Sequence, residues 1–236
     1  MKLTVHRAGC RGHADHGWLN TWHSFSFANY YNPDRMHFGA LRVLNDDTIQ
    51  AGMGFGTHPH DNMEIITIVL EGELEHRDSM GNGSVITPGE VQVMSAGTGI
   101  RHSEFNHSTT NELSLFQIWV FPDKKNVVPR YGQIRFQEEE MQQKWRTVVS
   151  PDGAEDSLWI HQQAWFSLGN FDAGSIINYQ LKKTDNVIYL FVISGEVQIG
   201  TENLKDRDAL CIEKIESIVN LKINKDSKLL LMEIPE

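Results

Sequence analysis

Short apolar runs separated by turn residues make up most of this chain. Residues 65–70 form a nearly continuous apolar run that ends at Glu71-Gly72, and residues 73–77 lead into a turn rich in Gly and Asn at 78–83. Further runs cover residues 91–94, after Pro88-Gly89, and residues 113–121. Strand, turn and strand at a spacing of roughly ten residues are typical of an all-β sandwich or barrel. The pattern therefore predicts an all-β fold.

The chain also divides into two halves. Residues 68–74 resemble residues 191–197, because in each segment apolar positions lead into a glycine, Gly72 or Gly195. Between the halves, residues 122–157 hold three prolines among charged residues and are the predicted connection. Within it, the Glu- and Gln-rich composition of residues 137–145 predicts one short helix. We therefore expect an N-terminal domain over residues 1–135 and a C-terminal domain over residues 136–236.

The strongest chemical signal is a pair of histidines, His58 and His60, followed about forty residues later by His102 and Glu104. Side chains at positions i and i+2 of a strand point to the same face. Two neutral imidazoles on one face chelate a divalent metal well. Three imidazoles and one carboxylate leave coordination positions open, whereas a structural zinc site is closed and usually rich in thiolates. These four residues therefore predict a catalytic metal centre in the first half.

The residue types do not decide which divalent metal is bound, because all of Fe(II), Ni(II), Co(II), Mn(II), Cu(II) and Zn(II) accept such ligands. They also leave open whether Glu64 is a metal ligand, since Glu64 lies at an even offset from His60 and could share its face of the strand. If the halves are copies, only the first has this ligand set, because Leu181 and Lys183 stand at the matching positions of the second.

Composition narrows the class of protein. Hydrophobic residues make up 40% of the 236 residues and charged residues 22%, which is ordinary for a soluble globular protein. A formal net charge of -10, with no clustered basic patch, disfavours binding to nucleic acid but permits a protein partner. Cys10 and Cys211 fit no metal or redox spacing and are predicted to be reduced. No apolar stretch reaches the length of a membrane span or a signal peptide, so we expect no membrane association and a cytoplasmic location.

Two motifs resemble the signatures of the cupin superfamily, whose members are jelly-roll β-barrels with a metal in the mouth. The first is Gly52-x5-His58-x-His60-x3-Glu64, and the second is Gly89-x5-Ser95-x-Gly97-x4-His102-x3-Asn106. The second departs from the usual pattern, because a serine stands where proline is usual and two extra residues precede the histidine. These departures, the run Gly-Thr-Gly-Ile-Arg-His-Ser-Glu at 97–104 and the segment 11–27 resemble the pirin family.

The resemblance implies a bicupin fold, with two jelly-roll barrels in one chain and a metal only in the first. It implies that His58, His60, His102 and Glu104 hold the metal, and it favours Fe(II). Most other cupins instead take the carboxylate from the position of Glu64. On the pirin pattern Glu64 is a polar core residue or a hydrogen-bond partner of a ligand histidine.

Bacterial relatives this similar act as quercetinases, so the leading hypothesis is a metal-dependent quercetin 2,3-dioxygenase that cleaves flavonols with dioxygen. Glu104 is the candidate general base. The alternatives are a metal-containing regulatory protein that binds a protein partner, and an oxygenase for another small metabolite, because fold does not fix reaction. Phe55, Phe116 and Trp119 are predicted to form either a pocket wall or barrel core.

The remaining histidines are assigned structural roles. Surface or satisfied core positions are predicted for His6, His37, His76, His107 and His161. Hydrogen-bonding roles are predicted for His13, His16 and His23.

Overall fold

The computed structural model covers residues 1–236, and its regular secondary structure is almost entirely β-strand, which confirms the all-β prediction. Twenty strands follow in order: β1 (Lys2–His6), β2 (Gly12–Asp15), β3 (Leu19–His23), β4 (Leu41–Ile49), β5 (Gly54–His60), β6 (Glu64–Glu71), β7 (Leu74–Asp78), β8 (Gly83–Ile86), β9 (Glu90–Ser95), β10 (Ile100–Asn106), β11 (Leu113–Val120), β12 (Arg130–Arg135), β13 (Arg146–Ser150), β14 (Leu158–Trp159), β15 (Trp165–Phe171), β16 (Ile176–Gln180), β17 (Asn186–Ile199), β18 (Glu202–Lys205), β19 (Ala209–Glu213) and β20 (Ile218–Pro235). Four short 3-10 turns occupy Ala8–Cys10, Pro33–Arg35, Glu138–Glu140 and Ala154–Asp156.

Two antiparallel sheets build the first barrel. One has seven strands in the order β12-β9-β6-β11-β4-β3-β2, and the other has four strands in the order β5-β10-β7-β8. Buried apolar residues from both sheets meet in one cluster, which includes Leu19, Ile49 and Leu115 from the larger sheet and Leu74 and Ile86 from the smaller. The two sheets therefore face each other across a shared core.

The second barrel is one nine-stranded sheet with the path β1-β19-β17-β20-β15-β13-β14, in which β16 pairs with β20 and β18 with β17. Its first strand comes from the other end of the chain, because Lys2–His6 pairs antiparallel with β19. Leu3 and Val5 of this strand pack against the core of the second barrel. Strand pairing over such a distance leaves no local signal in the sequence, and Lys2–His6, which the predicted N-terminal domain of residues 1–135 includes, pairs with the second barrel. The boundary at residue 135 stays a prediction.

The segment between the barrels contains no α-helix, so the helix predicted for residues 137–145 is wrong. Only Glu138–Glu140 forms a single 3-10 turn. The backbone amide of Gln143 donates to the carbonyl of Asn170 in β15, and the amide of Asn170 donates to the carbonyl of Met141. The backbone groups of this segment therefore pair with a neighbouring strand, and the i to i−4 bonds of a helix do not form.

The faint repeat has a structural basis at its two glycines. Gly72 (φ +82°) and Gly195 (φ +107°) have backbone conformations that residues with a side chain rarely adopt. A Cβ atom would lie 2.5 Å from the carbonyl oxygen of Glu112 at the first glycine and would collide with that of Asp226 at the second. Each half thus uses a glycine where a neighbouring strand approaches closely.

Both cysteines are free, as predicted, with Cys10 exposed and Cys211 buried. The helical segments are single 3-10 turns of three residues each, and none of them could span a membrane.

Candidate metal centre

Three of the four predicted ligands converge on the inner face of the four-stranded sheet. His58 on β5 lies directly opposite His102 on β10, and His60 lies two residues further along the same face. One ring nitrogen from each of these three histidines lies within 4.8 Å of the other two. The ring centroids are 4.4 Å apart for His58 and His102 and 4.9 Å apart for His60 and His102.

The protonation states of these rings suit a metal. The Nδ1–H of His58 donates to the carbonyl oxygen of Gly56 at 2.8 Å, which leaves the Nε2 lone pair free. Both ring nitrogens of His102 are buried and have no hydrogen-bond partner. Burial, followed by the neighbouring histidines, lowers the pKa of His60 and of His102 to about 3, so both rings are neutral. Because buried nitrogens without partners are costly, the donor set fits a divalent cation.

Glu104 stands beside this cluster rather than inside it. Its carboxylate belongs to a second group with His76 and His102, whose ligand atoms also lie within 4.8 Å of one another. A register shift in the β10–β5 pairing falls between His102 and Glu104. Gln117 Nε2 donates to both carboxylate oxygens, at 3.2 and 3.0 Å, and burial raises the pKa of Glu104. The four predicted residues therefore lie in one region as two groups that share His102.

His76 lies next to the site, which its sequence context did not indicate. The ring is fully buried and stacks on the ring of Tyr131, with the centroids 4.9 Å apart and the planes inclined by 29°. Gln92 Nε2 donates to its Nδ1 at 3.0 Å, and its Nε2–H donates to Asp78 at 3.3 Å. With both nitrogens occupied, His76 supports the cluster and has no lone pair left for a metal. The one available sequence signal was that His76 and Asp78 are two residues apart, as His58 and His60 are.

Glu64 is buried in the first barrel and bonds none of the clustered histidines. Ser95 Oγ donates to its Oε2 at 2.7 Å. Burial raises its pKa to about 7, although this bond, the nearby backbone of His161 and nearby Arg130 act in the opposite direction. The serine that departs from the usual cupin motif is thus the hydrogen-bond donor to Glu64. Of the two interpretations left open, the structure places Glu64 as a polar core residue.

A cavity of about 630 Å³ opens onto the histidine cluster. His58, His60 and Glu104 line it on one side, and much of the remainder is aromatic. Its aromatic lining residues include Trp18, Phe27, Tyr30, Phe55 and Trp119. Cavities of this size that combine aromatic walls with a few polar groups suit small aromatic ligands.

The three aromatic residues singled out from the sequence divide between pocket and core. Phe55 and Trp119 line the cavity, and the ring of Trp119 meets that of His60 edge to face at 4.9 Å. Phe116 is fully buried against Phe191 of the second barrel, at 5.2 Å. Residues at odd and even positions of β11 point to opposite faces, so Phe116 packs between the barrels while Gln117 faces the cavity.

The histidines given structural roles mostly have protein partners. His6 bonds Tyr189, His37 bonds the carbonyl of Gly39, and His107 pairs with Glu75. His161 is partly exposed. His13 and His23 bond asparagines, and both line the cavity together with His16.

Comparison with known proteins identifies the family. A family model described as Pirin matches residues 4–120, and one described as Quercetinase C-terminal cupin domain matches residues 147–234. The chain belongs to the pirin family. Its relatives include quercetin 2,3-dioxygenase of Escherichia coli, which is 46% identical over 237 residues, covering 99% of each protein. A pirin-like protein of Caulobacter vibrioides is 41% identical, over 94% of this chain and 95% of the relative.

Solved structures confirm the bicupin fold of this pirin. The crystal structure of YhhW from Escherichia coli matches with a TM-score of 0.94 and 45% identity, over 99% of this chain and 98% of that one. A structure of the same bacterial pirin in complex with nickel(II) matches with a TM-score of 0.94 and 44% identity, over 99% of each chain. A relative thus binds a divalent metal, and the histidine cluster of this pirin is of the type that suits one.

Proposed function

We propose that this pirin is a metal-dependent dioxygenase that cleaves flavonols, of the quercetin 2,3-dioxygenase type. The observation that carries the proposal is the convergence of His58, His60 and His102 at an aromatic-lined cavity that also contains a buried carboxylate, Glu104. The names of the close relatives support it. The products expected from this chemistry are an opened phenolic ester and carbon monoxide, with dioxygen supplying both inserted oxygen atoms.

His58, His60, His102 and Glu104 are the proposed ligands of a divalent cation, with Fe(II) as the proposed native metal. When bound, the cation supplies Lewis-acid stabilisation of a substrate oxyanion. The fixed Nδ1–H bond of His58 to Gly56 directs its Nε2 toward the centre. The pair His76–Asp78 packs behind His102 and keeps the cluster in place, with ring centroids of the two histidines 5.4 Å apart.

Glu104 is the proposed general base. Its carboxylate oxygens accept hydrogen bonds from Gln117, which orients them, and its buried position raises its affinity for a proton. A carboxylate at this place takes the proton of the flavonol 3-hydroxyl group and holds it near the reacting ring. Phe55 and Trp119 orient the flat substrate and exclude water.

The test is aerobic incubation of metal-loaded protein with quercetin, followed by the loss of the flavonol absorption band. Replacement of Glu104 by glutamine removes the base and lowers kcat by about 10²- to 10⁴-fold. Replacement of His58 by alanine removes a ligand and abolishes both metal content and turnover. Elemental analysis of each purified variant separates loss of metal from loss of the base.

Glu64→Gln is the matched control, because it is the same chemical change at another buried glutamate of the same barrel. We expect it to retain metal and turnover. A wild-type protein that carries metal but does not consume quercetin would refute the proposed function. Loss of metal from Glu64→Gln, with Glu104→Gln unaffected, would show that the carboxylate ligand has been assigned to the wrong residue.

A further inference from the structure

Opposite the histidine cluster, the cavity has a second polar surface. We call it the polar row and define it as Thr21, His23, Asn45 and Asp47, all of which line the cavity and are almost completely buried. Thr21 pairs with Asp47 and His23 with Asn45 across β3 and β4, so the four side chains share one face. These strands belong to the seven-stranded sheet, whereas the clustered histidines belong to the four-stranded sheet. The polar row and the metal centre therefore face each other across the cavity.

Two acceptor atoms of the polar row have no partner within the protein. Thr21 Oγ1 donates to Oδ1 of Asp47, and no group of the protein donates to Oδ2. His23 donates from Nδ1 to Oδ1 of Asn45 at 2.8 Å, which leaves Nε2 as an acceptor. Some polar side-chain atoms of this protein lack a partner and are fully enclosed by protein atoms, but Asp47 Oδ2 and His23 Nε2 do not belong to them. Both atoms are therefore open to the cavity.

No cation compensates the carboxyl group of Asp47. The neighbouring acids are Asp46 and Glu104, and burial, reinforced by these two, raises the pKa of Asp47 to about 7. Asp46, next in sequence, points to the other face of β4 and binds Arg11 and Arg207. A carboxyl group that is buried in an aromatic cavity without a cation is costly unless a ligand supplies a hydrogen-bond donor.

We propose that Asp47 and His23 form a second substrate subsite, which accepts hydrogen bonds from a phenolic hydroxyl group on the part of an aromatic substrate that is turned away from the metal centre. The proposal deepens the proposed function, on which it rests for the choice of flavonols as ligands. The subsite selects polyhydroxylated flavonols over those that carry only the 3-hydroxyl group. His23 is held for this purpose between Asn45 and the ring of Phe27, whose centroid lies 5.4 Å from its own.

The test compares two ligands, quercetin and 3-hydroxyflavone, which share the 3-hydroxyl and 4-carbonyl groups and differ in the phenolic hydroxyl groups. Binding to the full-length metal-loaded protein is measured without dioxygen, by quenching of tryptophan fluorescence, and turnover is then measured with dioxygen. The variant is Asp47→Asn, which keeps an oxygen for Thr21 but presents an NH₂ donor where Oδ2 accepted. The control is Asp185→Asn, the same change at an exposed position whose φ of +70° asparagine tolerates.

We expect Asp47→Asn to weaken quercetin binding about tenfold to a hundredfold and to change 3-hydroxyflavone binding by less than about twofold. The ratio of kcat/KM for the two ligands should fall by a similar factor, while Asp185→Asn matches the wild type. An equal loss for both ligands, or no loss for either, would overturn the subsite even if flavonols are consumed. Selective binding that depends on Asp47, without consumption of either flavonol, would support the subsite and refute the dioxygenase. A wild-type protein that binds neither ligand would overturn both.

Discussion

Replacing Glu64 by glutamine tests whether burial of this acid costs stability at alkaline pH. Glu64 is 1% exposed, and its carboxyl group has a pKa of about 7 in the folded protein, against 4.5 for the ordinary group. The folded state therefore binds the proton more tightly than the unfolded state. The stability that this proton contributes is complete below pH 4.5 and is lost as the pH rises toward 7.

The size of the effect follows from the pKa difference. At 1.36 kcal/mol per pH unit, the shift of Glu64 corresponds to about 3 kcal/mol between acidic and alkaline solution. Glutamine keeps an oxygen that accepts from Ser95 Oγ but carries no charge at any pH. We therefore expect Glu64→Gln to exceed the wild type in free energy of unfolding by about 2–3 kcal/mol at pH 8, and to differ by less than about 1 kcal/mol at pH 5.

Urea unfolding at both pH values, followed by tryptophan fluorescence, measures this difference. Subtracting the wild-type pH dependence from that of the variant cancels the other titrating groups, including Asp47 and the clustered histidines. Glu139→Gln, the same chemical change at an exposed glutamate, is the control. If Glu64→Gln and wild type lose stability in parallel from pH 5 to pH 8, the claim that Glu64 is protonated by burial is wrong.

Three further predictions concern the supports of the site and of the fold. His102→Ala should abolish metal retention, because His102 lies close to His58, His60 and Glu104 and its buried ring nitrogens have no other partner. Elemental analysis after dialysis checks this, and an unchanged metal content would contradict it. His76→Phe fills the same space without ring nitrogens and should weaken metal affinity about tenfold to a hundredfold in competition with a chelator, and unchanged affinity would show that the ring only fills space. Deletion of Lys2–His6 removes five cross-strand pairs from the second barrel and should lower the midpoint of thermal unfolding by about 5 °C or more, whereas an unchanged midpoint would mean that this strand adds nothing to the barrel.

The sequence was informative where a local period determines the structure. Side chains alternate between the two faces of a strand, so His58 and His60 had to share a face as soon as the segment formed a strand. Apolar runs bounded by turn residues marked the strands that became β6, β9 and β11. The glycines of the faint repeat signalled real close approaches, because a side chain at Gly72 or Gly195 would collide with a neighbouring backbone.

The alternation of side chains along a strand could not decide which of two acids is the metal ligand when both lie at even offsets from a histidine. Glu64 and Glu104 both lie at even offsets from a histidine, and only the pairing of β6 with β9 places Glu64 against Ser95 and away from the clustered rings. His76 looked like any core histidine until β7 paired with β10 and brought it opposite Glu104. The polar row was invisible for the same reason, since its members come from separate strands of the facing sheet.

By itself, the sequence determined that this protein is built of strands in two halves and that three histidines and a carboxylate are available on strand faces. Only the tertiary structure decided that Lys2–His6 completes the second barrel, that residues 137–145 pair with a strand rather than form a helix, and which acids surround the cavity. The physical reason is the range of the interactions. The direction of a side chain depends on the residues beside it, whereas the partner of a strand depends on hydrogen bonds and packing between segments far apart in the chain.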